Sequence, residues 1–359
     1  MKHKRLIFLI STLLILIAGS LSGYCDVVYL DRGQIEGEII EETSSSIVVK
    51  MSIGQVTIDK SRVDHIVRKP YETIDKKIDD SDAGVQREKE QNRHFLWKIT
   101  SDTSTSYILG SIHMAKLRLY PLDEVVEQAF DNSDKLVVEA NILQNPLETQ
   151  MRYLDSAIFY PEGESLEKNL SEKTFHLLEM TLDEMKLDIS LFNRFRPWFV
   201  ASVISTYMLQ KTDYTILGID LYFLSKAQNK KEIIELEGIK SQIDLLSGLS
   251  AKEQDLFLFM TLKNLDNLKE SIDEIFTAWK CGDVDKMGKI ITKGFDRFPE
   301  ASSIYERIVI QRNKNMASKL DGLLKTPYNY FIVVGAGHLV GDKGLIQLLR
   351  EKGYSLKQL

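Results

Sequence analysis

Two short stretches carry the residues best suited to chemistry. Gly110-Ser111-Ile112-His113 follows the apolar run Tyr107-Ile108-Leu109, and Gly335-Ala336-Gly337-His338 follows Tyr330-Phe331-Ile332-Val333-Val334. The chain has only six histidines, so two in the same strand-glycine-x-x-histidine setting form a pattern to explain. Two neutral imidazoles combined with carboxylates suit a divalent ion such as zinc, manganese, iron or cobalt. An ion of that kind lowers the pKa of water enough to make a nucleophile near neutral pH. A single histidine after a strand is usually structural, and it is the repetition of the motif that points to chemistry.

Carboxylates extend the pattern. Glu139 ends the run Leu136-Val137-Val138 and is followed by Ala140, a setting in which an unpartnered charge is costly. It is expected to act as a metal ligand or as a general base. Asp220 follows the strand candidate Thr215–Ile219, and Glu237 follows Glu232–Leu236. Carboxylates in such places also serve as helix N-caps, and that use is the one expected of Asp220. Arg312 falls on a helical face with Ile304, Ile308, Met316, Leu320 and Leu323. A guanidinium there needs a carboxylate or a ligand anion, or else reaches water from a helix edge. Asp220, Glu237 and Arg312 are thus candidates to orient substrate or support the histidines. Trp198 and Trp279 are read as core aromatics, and His65, His94 and His176 as structural.

These residues must be positioned by strands and helices. From Phe95 onward, strand candidates at Phe95–Ile99, Ser106–Leu109, Lys135–Val138, Thr215–Ile219, Glu232–Leu236, Tyr330–Val334 and Tyr354–Lys357 alternate with helical stretches. That alternation predicts an α/β domain built on a mainly parallel sheet. Ligands bind such sheets at the C-terminal ends of the strands. Five of the candidates end on His113, Glu139, Asp220, Glu237 and His338, so one sheet edge would gather all five. Ser250-Ala251-Lys252-Glu253 is a capping box opening a helix, and Ser303-Ile304-Tyr305-Glu306 is read in the same way. Residues 148–210 show no clear strand and are expected to form a helical insertion or cap.

The N-terminal quarter is different. Lys2, Lys4 and Arg5 precede an almost wholly apolar run from Leu6 to Ala18 and then small residues, which is the pattern of a signal peptide within residues 1–25. Export to the periplasm or the extracellular side follows. An uncleaved N-terminal membrane anchor is the alternative, although the run is shorter than a usual span. Residues 26–68 contain five short strand patterns divided by turn residues, predicting a small all-β barrel of SH3-like or Sm-like type with a docking role and no identified partner. Residues 69–93, with Asp75-Lys76-Lys77-Ile78-Asp79-Asp80, read as a charged linker. The net charge of −6 and the absence of a basic stripe argue against nucleic acid. Cys25 and Cys281 are the only cysteines, so stability must come from the core.

From Phe95 to Leu359 the chain resembles the TraB/GumN (PrgY) family, to which the Tiki metalloproteases are related. The resemblance rests on the two Gly-x-x-His motifs, Val137-Val138-Glu139, Pro197-Trp198-Phe199-Val200-Ala201 and Gly218-Ile219-Asp220. It continues through Leu236-Glu237 with Gln242, Trp279-Lys280-Cys281-Gly282-Asp283 and Arg312-Asn313-Lys314-Asn315-Met316-Ala317. It implies a metal-dependent hydrolase with His113, Glu139 and His338 essential, a peptide or protein substrate, and distant kinship to erythromycin-esterase-like and haem-binding ChaN-like folds. The expected C-terminal membrane span of many members is absent from this sequence. The combined expectation is an exported metallopeptidase acting on peptides or exposed protein termini. Two rivals belong to other classes: a non-catalytic protein that sequesters a peptide signal or haem, and a metal-independent esterase.

Overall fold

The computed structural model describes residues 26–30, 33–51, 54–67, 93–116, 119–143, 147–209, 211–215, 218–295 and 298–359. The expected signal segment lies outside these residues, as does all of the expected linker but Arg93. The chain divides into two compact units with a boundary at residues 88–89.

The N-terminal unit is an antiparallel sheet of β1 (Asp26–Leu30), β2 (Gly33–Glu42), β3 (Ser46–Met51), β4 (Gly54–Asp59) and β5 (Val63–Val67), in the order β4-β3-β2-β1-β5. The Thr43 hydroxyl accepts the Ser46 N–H at 2.9 Å and shapes the turn between β2 and β3. Ile47 and Ile58 pair across β3 and β4 and are buried. Closure into a barrel would require β4 to pair with β5, and no such pairing occurs among the described residues.

The second unit is built on six strands: β6 (Leu96–Thr100), β7 (Thr105–Ser111), β8 (Lys135–Val138), β9 (Glu232–Glu235), β10 (Tyr330–Gly335) and β11 (Ser355–Gln358). Their order is β11-β6-β7-β10-β8-β9. Strands β7, β10, β8 and β9 run parallel, and β6 pairs antiparallel with both β7 and β11. Every residue of β10 is buried, which is why its sequence is a continuous apolar run and not an alternating one. It lies between β7 and β8, with Gly335 opposite Ser111 and Val333 opposite Val138.

Helices cover the sheet: α1 (Glu124–Asp131), α2 (Leu147–Ile158), α3 (Glu172–Met185), α4 (Pro197–Leu209), α5 (Ile219–Ala227), α6 (Ile239–Ser247), α7 (Ala251–Asn264), α8 (Leu268–Lys280), α9 (Val284–Phe295), α10 (Arg312–Leu323) and α11 (Leu345–Glu351). Residues 147–209 are helical apart from turns and one isolated bridge, Phe159 to Phe195, and α2, α3, α4, α6 and α7 share one apolar cluster. Helix α4 is apolar all round and buried. Its two serine hydroxyls are satisfied internally, Ser202 donating to Trp198 O at 2.9 Å and Ser205 to Ala201 O at 2.7 Å. No helix among the described residues is long and apolar enough to cross a membrane.

Two local expectations are corrected. The described ends of the expected strand Thr215–Ile219 do not form one: Thr215 makes an isolated bridge to Ala115, and Ile219 opens helix α5. The run was too short and apolar to distinguish a strand from the start of a buried helix. Ser303 does not cap a helix either. The helical path already starts with the turn Pro299–Ala301, and the Ser303 hydroxyl donates to Glu253 Oε1 at 2.9 Å. The capping box at Ser250 is present in full.

Candidate active site

The parallel register brings the two motifs together. Residues that follow β7 and β10 leave the sheet at the same end, and Glu139 leaves β8 beside them. The ladder between β8 and β9 continues past both strands, with Leu236 N–H donating to Val138 O (2.8 Å) and Glu237 N–H to Glu139 O (2.9 Å). This sets Glu237 beside Glu139. His113, Glu139, Arg312 and His338 are all nine-tenths or more buried, and Asp220 is 8 % exposed.

Asp220 arrives by a route the sequence did not suggest. It stands in the first turn of α5, whose N-cap is Gly218. A Cβ on Gly218 would lie 2.5 Å from the His113 Cα, so only glycine lets α5 approach the tail of β7 this closely. Ile219 N–H donates to Ile112 O at 3.1 Å across that contact. Asp220 then caps nothing and turns inward. One carboxylate oxygen accepts the Ser111 hydroxyl at 2.7 Å, and the other is 2.6 Å from His113 Nδ1. Burial disfavours charge on His113, but the Asp220 carboxylate outweighs it and moves the imidazole above its ordinary value. The Trp279 indole N–H donates to Gly110 O at 2.6 Å, so this core aromatic also fixes the start of the first motif.

Arg312 is held by two carboxylates and by Ile308 O, which accepts from Nη1 at 3.4 Å. Its Nε and Nη2 donate to the two oxygens of Glu237 at 2.9 and 2.6 Å, and Nη2 also donates to Glu139 Oε2 at 2.5 Å. Of the two needs expected for this residue, a carboxylate or a ligand anion, the structure satisfies the first. Gln242 adds an amide N–H to Glu139 Oε2 at 3.2 Å. Glu139 Oε1 accepts the Gly335 N–H at 2.7 Å and stands 4.0 Å from His338 Nε2. Burial would raise the Glu139 carboxyl, but Arg312 and the neighbouring histidines draw it down to about 2. Held that low, the carboxylate is a poor proton acceptor, which suits a ligand or an electrostatic partner better than a general base. His338 is pushed the other way, to about 3, first by burial and then by the Arg312 guanidinium, so it is neutral at physiological pH.

The open space of the site is defined by Gly335. A Cβ there would lie 3.3 Å from Glu139 Oε1, 3.5 Å from His338 Cδ2 and 3.7 Å from His113 Nε2. The three groups therefore surround one small space. Each imidazole reaches it with Nδ1 already occupied, His113 by Asp220 and His338 by Asn313 Oδ1 at 2.6 Å. Metal-binding histidines are usually arranged in this way, one ring nitrogen tied to an oxygen and the other turned to the ion. Counted formally, three carboxylates (Glu139, Glu237, Asp220) against one guanidinium leave two negative charges, which a divalent cation would offset. Against this, no three His, Cys, Asp or Glu side chains among the described residues are close enough to hold an ion. The donor chemistry fits a divalent cation at the two imidazoles, and the third protein donor is not in place.

All six residues singled out from the sequence meet here: His113, Glu139 and His338 around Gly335, with Asp220, Glu237 and Arg312 behind them. Ser111, Gln242 and Asn313 complete the network, and composition and spacing gave them no role. Ser111 is the residue after the glycine of the first motif. Asn313 adjoins Arg312, but a π-helical segment, Glu306–Gln311, precedes both and breaks the periodicity by which their direction could be read.

Residues 95–358 match the model of the TraB/PrgY/gumN family. The uncharacterized protein YbaP of Escherichia coli (strain K12) is 30% identical over 266 residues, covering 72% of this chain and 95% of YbaP. Metalloprotease TIKI1 of Xenopus tropicalis is 24% identical over 338 residues, covering 77% of this chain and 64% of that protein. Metalloprotease TIKI1 of Homo sapiens is 23% identical over 320 residues, 73% of this chain and 61% of the relative. No solved structure matches the chain. With its family match spanning the whole α/β unit, this chain belongs to the TraB/PrgY/gumN family.

Proposed function

We propose that the protein is an exported, metal-dependent hydrolase that cleaves peptides or exposed protein termini. The observation that carries this reading is the pair of imidazoles, His113 and His338, each tied through Nδ1 and open at Nε2 beside Glu139. In this reading the two Nε2 atoms would hold a divalent ion, one of manganese, cobalt, zinc or iron, beside the Glu139 carboxylate. A bound ion would supply Lewis acidity toward a carbonyl and toward water. The chain's own residues prepare the place. Asp220 and Ser111 fix the plane of His113, while Arg312 and Gln242 hold Glu139 in position. Glu237 takes Arg312 Nε and shares Nη2, and Nη1 goes to Ile308 O, which keeps the guanidinium from claiming both oxygens of Glu139. The named metalloprotease relatives support peptide or protein as the substrate class. The basic and apolar N-terminus supports export by a signal peptide, with an uncleaved membrane anchor as the alternative. The N-terminal sheet would dock a partner not yet identified.

The test is metal content and hydrolysis by the full chain after loading with each of the four ions, next to His113→Ala and His338→Ala. One bound ion per chain, lost in both variants, with peptide cleavage that a chelator abolishes, is the expected result. No bound ion under any loading would overturn the metal reading. One observation favours a second: His113 with Asp220 is by itself an imidazole oriented by a carboxylate, able to take a proton from water directly. Ester hydrolysis unaffected by chelator would select that reading. Stoichiometric peptide capture without new termini would select a sequestering role instead.

A further inference from the structure

Asn313 is 1 % exposed and makes two hydrogen bonds that leave its amide no freedom. Its Nδ2 donates to Lys343 O at 2.8 Å, in the segment after the second motif. A carbonyl can only accept, so the amide nitrogen must face Lys343 and the amide oxygen must face His338. That oxygen is 2.6 Å from His338 Nδ1. An amide oxygen has no proton to give, so Nδ1 must carry one, and in the neutral ring Nε2 is left with its lone pair. The backbone of one loop thereby determines which nitrogen of a buried imidazole is free.

The two histidines are served differently. His113 has a carboxylate behind it and His338 has a neutral amide. Both acceptors fix a proton on Nδ1, but the Asp220 carboxylate also favours a charged His113, whereas the neutral amide gives His338 no such charge stabilisation. Asn313 reaches this position as the second residue of α10, directly after Arg312 and the π-helical segment. Arg312 turns to the carboxylates and Asn313 to the imidazole, so one helix start positions both sides of the cradle.

We propose that Asn313 is a positioning residue that locks His338 as the Nδ1–H tautomer and aims its Nε2 lone pair at the space beside Gly335. This deepens the metal-site reading and rests on it only for its effect on affinity, since the tautomer exists without an ion.

The experiment uses the full-length, metal-free chain with 15N-labelled histidine and long-range 1H–15N correlation spectra. The His338 signals are assigned by their loss in His338→Ala. The expected spectrum has a protonated Nδ1 and an unprotonated Nε2 for His338. A protonated Nε2, or averaged tautomers, in the wild-type chain would overturn the proposal without any variant. Asn313→Leu should lose the single-tautomer signature and weaken cobalt or zinc binding by about 10–100-fold, the usual cost of removing a partner behind a ligating histidine. Asn313→Asp, which keeps an acceptor toward Nδ1, should restore the signature. An unchanged tautomer and affinity in Asn313→Leu would refute the role. If the wild-type chain binds no ion but shows the expected tautomer, the metal reading fails and the positioning role stands.

Discussion

Replacing Arg312 with methionine gives the most direct test of how the site is held. Methionine keeps much of the apolar stem and removes the charge. Glu139 and Glu237, with side chains 6 % and 11 % exposed, are then left without their cation. Breaking a buried pair from one side costs about 3–5 kcal/mol. The carboxyl of Glu139 points the same way, since the Arg312 guanidinium is the first of the groups that draw it below its ordinary value. The expected loss is on the order of 3 kcal/mol. The assay is urea unfolding followed by tryptophan fluorescence. All three tryptophans, Trp97, Trp198 and Trp279, lie in the α/β unit, so the signal reports on that unit alone. The pH dependence has a definite sign. In the wild type, Glu139 has a depressed value, so its contribution is present above pH 4.5 and is lost as pH falls toward 2. Without Arg312, burial is the first effect left and raises Glu139, so the variant is penalised at neutral pH and relieved by protonation. The gap between the two proteins should therefore be wider at pH 8 than at pH 5, and should close further as pH falls below 4.5. A loss under about 1 kcal/mol, or a gap that does not change with pH, would refute the account of Arg312 as the cation of a buried triad.

Two further substitutions separate the site from the scaffold. Gly335→Ala adds a methyl group 3.3 Å from Glu139 Oε1 at a backbone φ of −51°, which alanine accepts. It should abolish ion binding and hydrolysis while the urea midpoint hardly moves; retained activity would show that the cradle is not where the chemistry occurs. Ser250→Ala removes one half of the capping box of α7 and should cost about 1 kcal/mol. Its turnover should equal that of the wild type, and a changed kcat would show that the helical layer reaches into the reaction.

Much of the site could be read before the structure, for a definite reason. Strands β7, β8 and β10 are continuous apolar runs because both faces are covered, and such runs stand out in the sequence together with the polar residues at their C-terminal ends. His113, Glu139 and His338 were legible as strand endings, and Arg312 as a charge out of place on an apolar face. Asp220 was legible as a residue but not as a role, because its use depends on how closely Gly218 lets α5 approach His113. The hydrogen bonds of Asn313 and Gln242 were not legible at all: a polar residue on a helix declares itself only when the helix phase and its neighbour are both known. A single π-helical segment was enough to remove that phase. The Ser303 box shows the opposite failure, where a local pattern matched a cap but a contact with Glu253 had the stronger claim.

The position of β10 also has a consequence for how the protein comes into being. The strand that carries the second motif inserts between β7 and β8, and the hydrogen bond from Gly335 to Glu139 spans 196 residues. A chain made from its N-terminus will hold β7 and β8 with an empty place between them for most of its synthesis. Two unpaired edges wait there until almost the last segment is available, and long-range closures of this type are slow. No incomplete chain can hold the finished site, because the middle strand, His338 and the loop that fixes Asn313 arrive together. On the proposed function, any hydrolysis at this site would begin only with completion of the polypeptide itself.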